Sequence, residues 1–160
     1  MKIKYQKDMV FHISKDFMPL LGACIDDAHP NEATGLFFGN IKQFKIGDDY
    51  QYHYYVRRFE CVESSHKSPI AFLLNNDEFL FEMVYNIEQV EGFKVIGIFH
   101  SHPSGLYPSS VDHYYMQLFY ESGIVKFKHL IWIIMDSQIK DVKAFLLYEG
   151  DLTEIVLAID

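Results

Sequence analysis

Long apolar runs are missing from this 160-residue chain. No stretch of about 18 apolar residues occurs, so no membrane-spanning helix is expected, and the segment Met1 to Asp8 lacks the apolar core of a secretory signal. Cysteine is scarce. Cys24 and Cys61 are the only two, and Cys24 falls on the apolar face of a predicted helix, so a disulfide framework is not expected and a reducing, cytoplasmic setting is. Runs of Lys and Arg are also absent. With 14 basic against 22 acidic residues the formal charge is −8, which argues against a phosphate-backbone ligand and suits, if anything, a basic partner. No internal repeat, low-complexity segment or linker composition interrupts the chain. What remains is 49% apolar and 16% aromatic, ample for a core, and a single domain over residues 1–160 is expected.

Periodicity gives the elements. Met9 to Ile13 reads as a short strand. Asp16 then caps a helix with Pro19 in its first turn, and Phe17, Leu20, Leu21, Cys24, Ile25 and Ala28 follow helical spacing up to His29-Pro30. His29 precedes a proline and is given no role. Gly35 to Phe38 is a strand, and Asn40–Ile46, Gly47-Asp48-Asp49 and Tyr50–Arg58 read as a hairpin. Tyr50, Tyr52 and Tyr54 alternate along its second arm as a packed or partly exposed stripe. Glu63 to Pro69 is the most polar loop. Ala71 to Leu74 is a strand, and Asn76 caps a helix with Leu80, Met83, Val84 and Ile87 on one face, ending at Glu91-Gly92. His129–Met135, Val142–Tyr148 and Leu152–Ile159 are further strands. The pattern is α/β, a mixed sheet flanked by helices.

The chemistry lies between them. Val95 to Phe99 is a buried strand running into His100-Ser101-His102-Pro103, and residues two apart on a strand share a face, so both imidazoles leave its end side by side. Pro103 ends the ladder, Gly105 and Pro108 keep a turn, and Ser109-Ser110-Val111-Asp112 has the capping pattern of a helix that continues to Gly123. The carboxylate of Asp112 can therefore return to the two histidines. Two neutral His and one carboxylate with an open position is how a catalytic zinc is commonly held. The duller alternatives are two satisfied polar histidines and a serine and aspartate that do nothing but cap. His113 lies about 100° round the helix from Asp112 and is expected to be exposed or to stand behind the site.

Taken with the upstream segment His29-Pro30-Asn31-Glu32-Ala33-Thr34-Gly35-Leu36, this arrangement resembles the JAMM metalloproteases, the catalytically active MPN domains. Their signature is a Glu before a Gly-Leu strand, then His-Ser/Thr-His-Pro and Ser-x-x-Asp. The resemblance covers most of the chain and implies a cytidine-deaminase-like α/β fold. By the same resemblance Glu32 is the general acid/base, His100, His102 and Asp112 hold one Zn²⁺ per chain, and Ser109 stabilises the oxyanion. Nine residues separate His102 from Asp112 where the family usually has ten, the difference falling in the loop Ser104–Tyr107.

The resemblance further implies hydrolysis of the isopeptide bond after the Gly-Gly tail of ubiquitin or a ubiquitin-like protein. Compact prokaryotic members can also process sulfur-carrier proteins. The loop Glu63–Pro69 is a candidate for substrate choice. A non-catalytic MPN scaffold would be expected to lack some of the five site residues, and all are present; a zinc deaminase would need His-x-Glu with Pro-Cys-x-x-Cys, which is absent. Neither a nucleic acid nor a membrane is an expected partner.

Overall fold

The computed structural model describes residues 4–62, 78–122 and 129–160. Strand β1 (Lys4–Ile13) passes through a 3₁₀ turn (Lys15–Phe17) into helix α1 (Met18–Ala28). A long hairpin follows, β2 (Thr34–Ile46) and β3 (Asp49–Val62), and then helix α2 (Glu78–Glu91), strand β4 (Lys94–His102) and helix α3 (Ser110–Glu121). The chain continues as β5 (Ile131–Asp136), β6 (Val142–Tyr148) and β7 (Asp151–Ile159). These strands close into a barrel in the order β1-β3-β2-β4-β5-β6-β7. Closure depends on β1, which runs parallel to β3 on one side, with Phe11 opposite Tyr54, and parallel to β7 on the other, with Phe11 opposite Leu157.

The central strands are covered on both faces, which is why they read as unbroken apolar runs and not as alternation. One side chain set, including Phe37, Phe99, Ile131 and Ile133, packs with Leu21 and Ile25 of α1. The other, including Leu36, Phe38, Ile98, Trp132 and Ile134, packs with Val84 and Ile87 of α2 and Met116 and Phe119 of α3. Each such fully buried side chain contributes about 1.5–3 kcal/mol over leaving it exposed. Gly97 permits the close fit, since a Cβ there would lie 2.9 Å from the Ile131 carbonyl oxygen and 3.2 Å from the Phe11 ring. The consequence for the site is a rigid β4 whose far end projects two histidines toward the α3 side.

Several local expectations are corrected. Asp16 does not cap α1: Ser14 accepts a hydrogen bond from the Asp16 N–H (3.3 Å) at the start of the 3₁₀ turn, and α1 begins two residues later. Leu20, placed on the apolar face by its spacing, is exposed, while Leu21, Cys24, Ile25 and Ala28 are buried. The tyrosine stripe is, as expected, packed in part and exposed in part: Tyr54 is buried inside the barrel, Tyr52 is partly exposed opposite Met9 of β1, and Tyr50 lies on the exposed hairpin arm. Burial pushes the Tyr54 hydroxyl pKa up to about 12. The first strand begins at Lys4, well ahead of Met9.

The cysteines are the largest correction. Cys24 and Cys61 form a disulfide, with their Cα atoms 5.7 Å apart. The hairpin register sets Cys61 opposite Gly35, and α1 packs over that end of the sheet with Cys24 facing inward. The inference of a reducing compartment from unpaired cysteines is thereby withdrawn. The loop Glu63–Pro69, the strand expected over Ala71–Leu74, the cap Asn76 and Gly123 lie outside the described residues. No helix among the described residues is long and apolar enough to cross a membrane.

Candidate metal centre

Three separate elements bring the predicted residues to one place. Strand β4 ends in His100 and His102, which share a face and are 7% and 8% exposed. Helix α3 starts at the N-cap Ser109 and carries Asp112 in its first turn, 3% exposed. Glu32 sits just before β2, which pairs with β4 so that Thr34 faces His100, and its side chain remains 46% exposed.

The contacts are direct. His100 Nε2 lies 2.9 Å from Glu32 Oε2 and 3.4 Å from Asp112 Oδ1, and His102 Nε2 lies 2.8 Å from Asp112 Oδ2. The two imidazole planes are nearly perpendicular at 86°. Ligand atoms of Glu32, His100 and His102 all lie within 4.8 Å of one another, a group able to hold a metal ion. The donor set fits one. Two carboxylates packed against two largely buried imidazoles carry an excess of negative charge unless a proton or a cation sits among them, and such a cluster is costly to bury uncompensated.

Capping and metal-site geometry turn out to be one arrangement. Ser109 Oγ accepts from the Asp112 N–H (3.1 Å), and Asp112 Oδ2 accepts from the Ser109 N–H (2.9 Å), a reciprocal box. That box fixes the side chain of Asp112 with its carboxylate toward His102. The Ser109 oxygen is the acceptor in this cap, so the cap does not use its hydroxyl proton.

Electrostatics follow the contacts. The hydrogen bond with His100 holds the Glu32 carboxyl below its ordinary value, helped by the charges of both histidines and opposed by burial and by Asp112. For Asp112, burial pushes the carboxyl up but is outweighed by the His102 hydrogen bond, the Ser109 N–H and the charges of both histidines, so the net direction is down. His102 is raised, first by its hydrogen bond to Asp112. Both acids are therefore ionised at neutral pH and His102 holds a proton more tightly than a free imidazole.

Two residues escaped the sequence reading. Ser101 points to the opposite face from the histidines, where its N–H donates to the Ala33 carbonyl (3.1 Å) and its Oγ accepts from the Ala33 N–H (2.8 Å), clamping the segment that bears Glu32. Asp136, which by sequence only separates two strands, is buried beside His102 and accepts from three backbone N–H groups. A small polar residue between two histidines and a turn aspartate carry no distinctive local signal. His113 is half-buried, and its Nε2 has no hydrogen-bond partner among the described residues; His29 is exposed. Neither joins the cluster.

Comparison with solved structures finds similar proteins, the first of which shares the fold. A protein from Desulfitobacterium hafniense, known from a solution structure, is 23% identical, with a TM-score of 0.63 over 95% of this chain and 94% of that one. A JAB1/MPN domain protein from Archaeoglobus fulgidus, known from a crystal structure, is 18% identical over 94% of this chain and 98% of that one, with a TM-score of 0.49. No curated protein matches the sequence. A family model described as prokaryotic homologs of the JAB domain matches residues 21–148, a span that runs from α1 to β6 and takes in Glu32, both histidines, Ser109 and Asp112, and the chain belongs to that family.

Proposed function

We propose that this protein is a zinc-dependent isopeptidase that hydrolyses the bond after the C-terminal Gly-Gly of ubiquitin or a ubiquitin-like protein. The observation that carries the reading is the convergence of Glu32, His100 and His102, with the capped Asp112 against both histidines. In this reading His100, His102 and Asp112 hold the zinc, and Glu32, the most exposed of the four, is the acid/base. When bound, zinc supplies Lewis acidity that activates a water at neutral pH and polarises the scissile carbonyl.

The chain's own residues do the rest. Glu32, a carboxylate ionised at neutral pH, accepts the water's proton and returns it to the leaving amine. Its exposure leaves room for that amine. The Ser109 hydroxyl donates to the oxygen on which negative charge develops, at the positive end of α3, where backbone amides favour the same charge. A Gly-Gly tail suits the site because residues without side chains can lie extended close to the backbone.

The test loads the purified protein with zinc and measures cleavage of a ubiquitin-like fusion ending in Gly-Gly, beside the same fusion with bulky residues at the scissile position. Selective cutting of the first is expected. Equal cutting would make the protein a general peptidase, and release only of an amino acid from a carrier adduct would redirect the reading to sulfur-carrier processing. A zinc-loaded protein that cuts none of these would overturn it.

A further inference from the structure

We infer that Asp136 is a positioning residue for this hydrolysis: its carboxylate ties the loop Pro103–Pro108 to the β5–β6 turn and so sets Ser109 relative to the metal ligands. The inference rests on the reading of the site given above.

Strands β4 and β5 run parallel with His102 opposite Asp136. At that point the Ser137 N–H donates to the His102 carbonyl (2.8 Å), so the turn is already bolted to the backbone of a ligand. Asp136 then uses both carboxylate oxygens in opposite directions. Oδ2 accepts from the Gly105 N–H at 2.7 Å, in the middle of the loop that leads from His102 to Ser109. Oδ1 accepts from the N–H groups of Gln138 (2.8 Å) and Ile139 (3.1 Å), in its own turn. The turn is closed by backbone bonds from Lys140 N–H to the Asp136 carbonyl (2.9 Å) and from Asp136 N–H to the Asp141 carbonyl (3.0 Å). The carboxylate therefore stands on a fixed base, 6% exposed.

The loop needs such a fixture. Most of its residues are exposed, two are prolines without an N–H, and Gly105 takes a φ of +98°, a conformation that L side chains rarely adopt. The loop is packed at Tyr107, whose ring centroid lies 5.9 Å from that of Phe145 and 5.6 Å from the Lys143 ammonium, and the aspartate holds it at Gly105. Its far end is Ser109, whose hydroxyl must sit within a few tenths of an ångström of its working position, since a 1 Å displacement can cost on the order of 10²-fold in rate. A carboxylate is required because two acceptor oxygens are used. An asparagine can serve the turn or the loop as acceptor, not both.

The experiment compares wild type, Asp136→Asn, Ser109→Ala and the double variant, all loaded with zinc, on the Gly-Gly fusion, with amide hydrogen exchange at Gly105 and Ser109. Asp136→Asn keeps an acceptor for the turn, so melting temperature and zinc content should stay close to wild type; Asp136→Ser is made in parallel in case the first fails to fold. Expected are faster exchange at both amides and a kcat lower by about 10- to 100-fold with KM changed little. The double variant should be no slower than Ser109→Ala, because the aspartate acts through the serine. Multiplying losses, or unchanged Gly105 exchange, would overturn the inference. Failure of the hydrolase reading looks different: wild type itself is then inactive, and exchange alone decides whether Asp136 holds the loop.

Discussion

Two histidine pairs in this barrel have the same centroid separation, 5.0 Å, and different chemistry. His100 and His102 come from one strand with planes at 86°, and their Nε2 atoms face carboxylates. His12 and His53 come from neighbouring parallel strands on the outer face of the barrel, with planes at 20°. Their facing nitrogens are 2.7 Å apart, and their other nitrogens reach Asp160 Oδ2 (3.2 Å) and Gln51 Oε1 (2.8 Å). The short contact and the long centroid separation leave the rings almost end to end. Lone pairs aimed at each other along one line share a proton; a metal needs them to meet at an angle. Two histidines with an aspartate nearby are not enough to hold a metal; their nitrogens must also converge, as those of His100 and His102 do with Glu32.

The largest predicted effect separates the pairs outright. Wild type should retain one zinc per chain after dialysis, measured by elemental analysis, and His100→Ala, His102→Ala or Asp112→Ala should lose it. His12→Ala and His53→Ala should keep full occupancy. Loss of zinc in the second set would erase the distinction between the pairs.

Next comes Glu32→Gln, which leaves the histidine geometry in place and removes a group that can take and return a proton. Turnover should fall by about 10²–10⁴-fold with zinc retained. A wild-type rate in a zinc-loaded sample would take Glu32 out of the reaction.

Ser109 sharpens the question of what the cap is for. Ser109→Ala should cost roughly 1 kcal/mol of stability, whereas Ser109→Asp, which caps about as well, should not. If the hydroxyl also donates to the developing oxyanion, both should lose about 10²–10³ in kcat. Melting temperature, zinc content and turnover of the two variants decide between a cap alone and a cap with a second task.

The smallest effects are in pH, and they have opposite signs at the two pairs. His102 is raised by Asp112, so its proton stabilises the metal-free fold at low pH, and that contribution is lost as pH rises through its folded pKa. The same proton competes with metal. Zinc affinity should therefore begin to fall, as pH is lowered, at a pH above the usual histidine value of about 6.5. His53 is lowered, first by burial and then by the charge of His12, so the unfolded chain takes up its proton sooner. Stability of the metal-free protein should decline as pH drops below about 6.5 on this account, and His53→Gln should flatten that part of the curve in a urea titration.

How much of this was legible depended on distance along the chain. The shared face of His100 and His102 follows from a two-residue period, and the capping box of Ser109 and Asp112 from a three-residue spacing; both are local and both are where the sequence placed them. The strands β5 to β7 were found because apolar runs bounded by turn residues need no partner to be recognised. Glu32 was reached only through family resemblance, since nothing in Asn31-Glu32-Ala33 distinguishes a catalytic acid from a solvated one.

The sequence by itself thus determined the elements, the pair of histidines and the cap, because each is settled by residues within one turn or one strand. Tertiary structure alone decided the rest. The β2–β4 register brought Glu32 to His100 across 68 positions, the hairpin brought Cys61 to Cys24, and the β4–β5 pairing set Asp136 beside the loop it holds. Barrel closure through β1 placed His12 against His53 and Asp160. Such contacts depend on strand register and on the packing of distant apolar faces, and no short stretch of sequence carries that information.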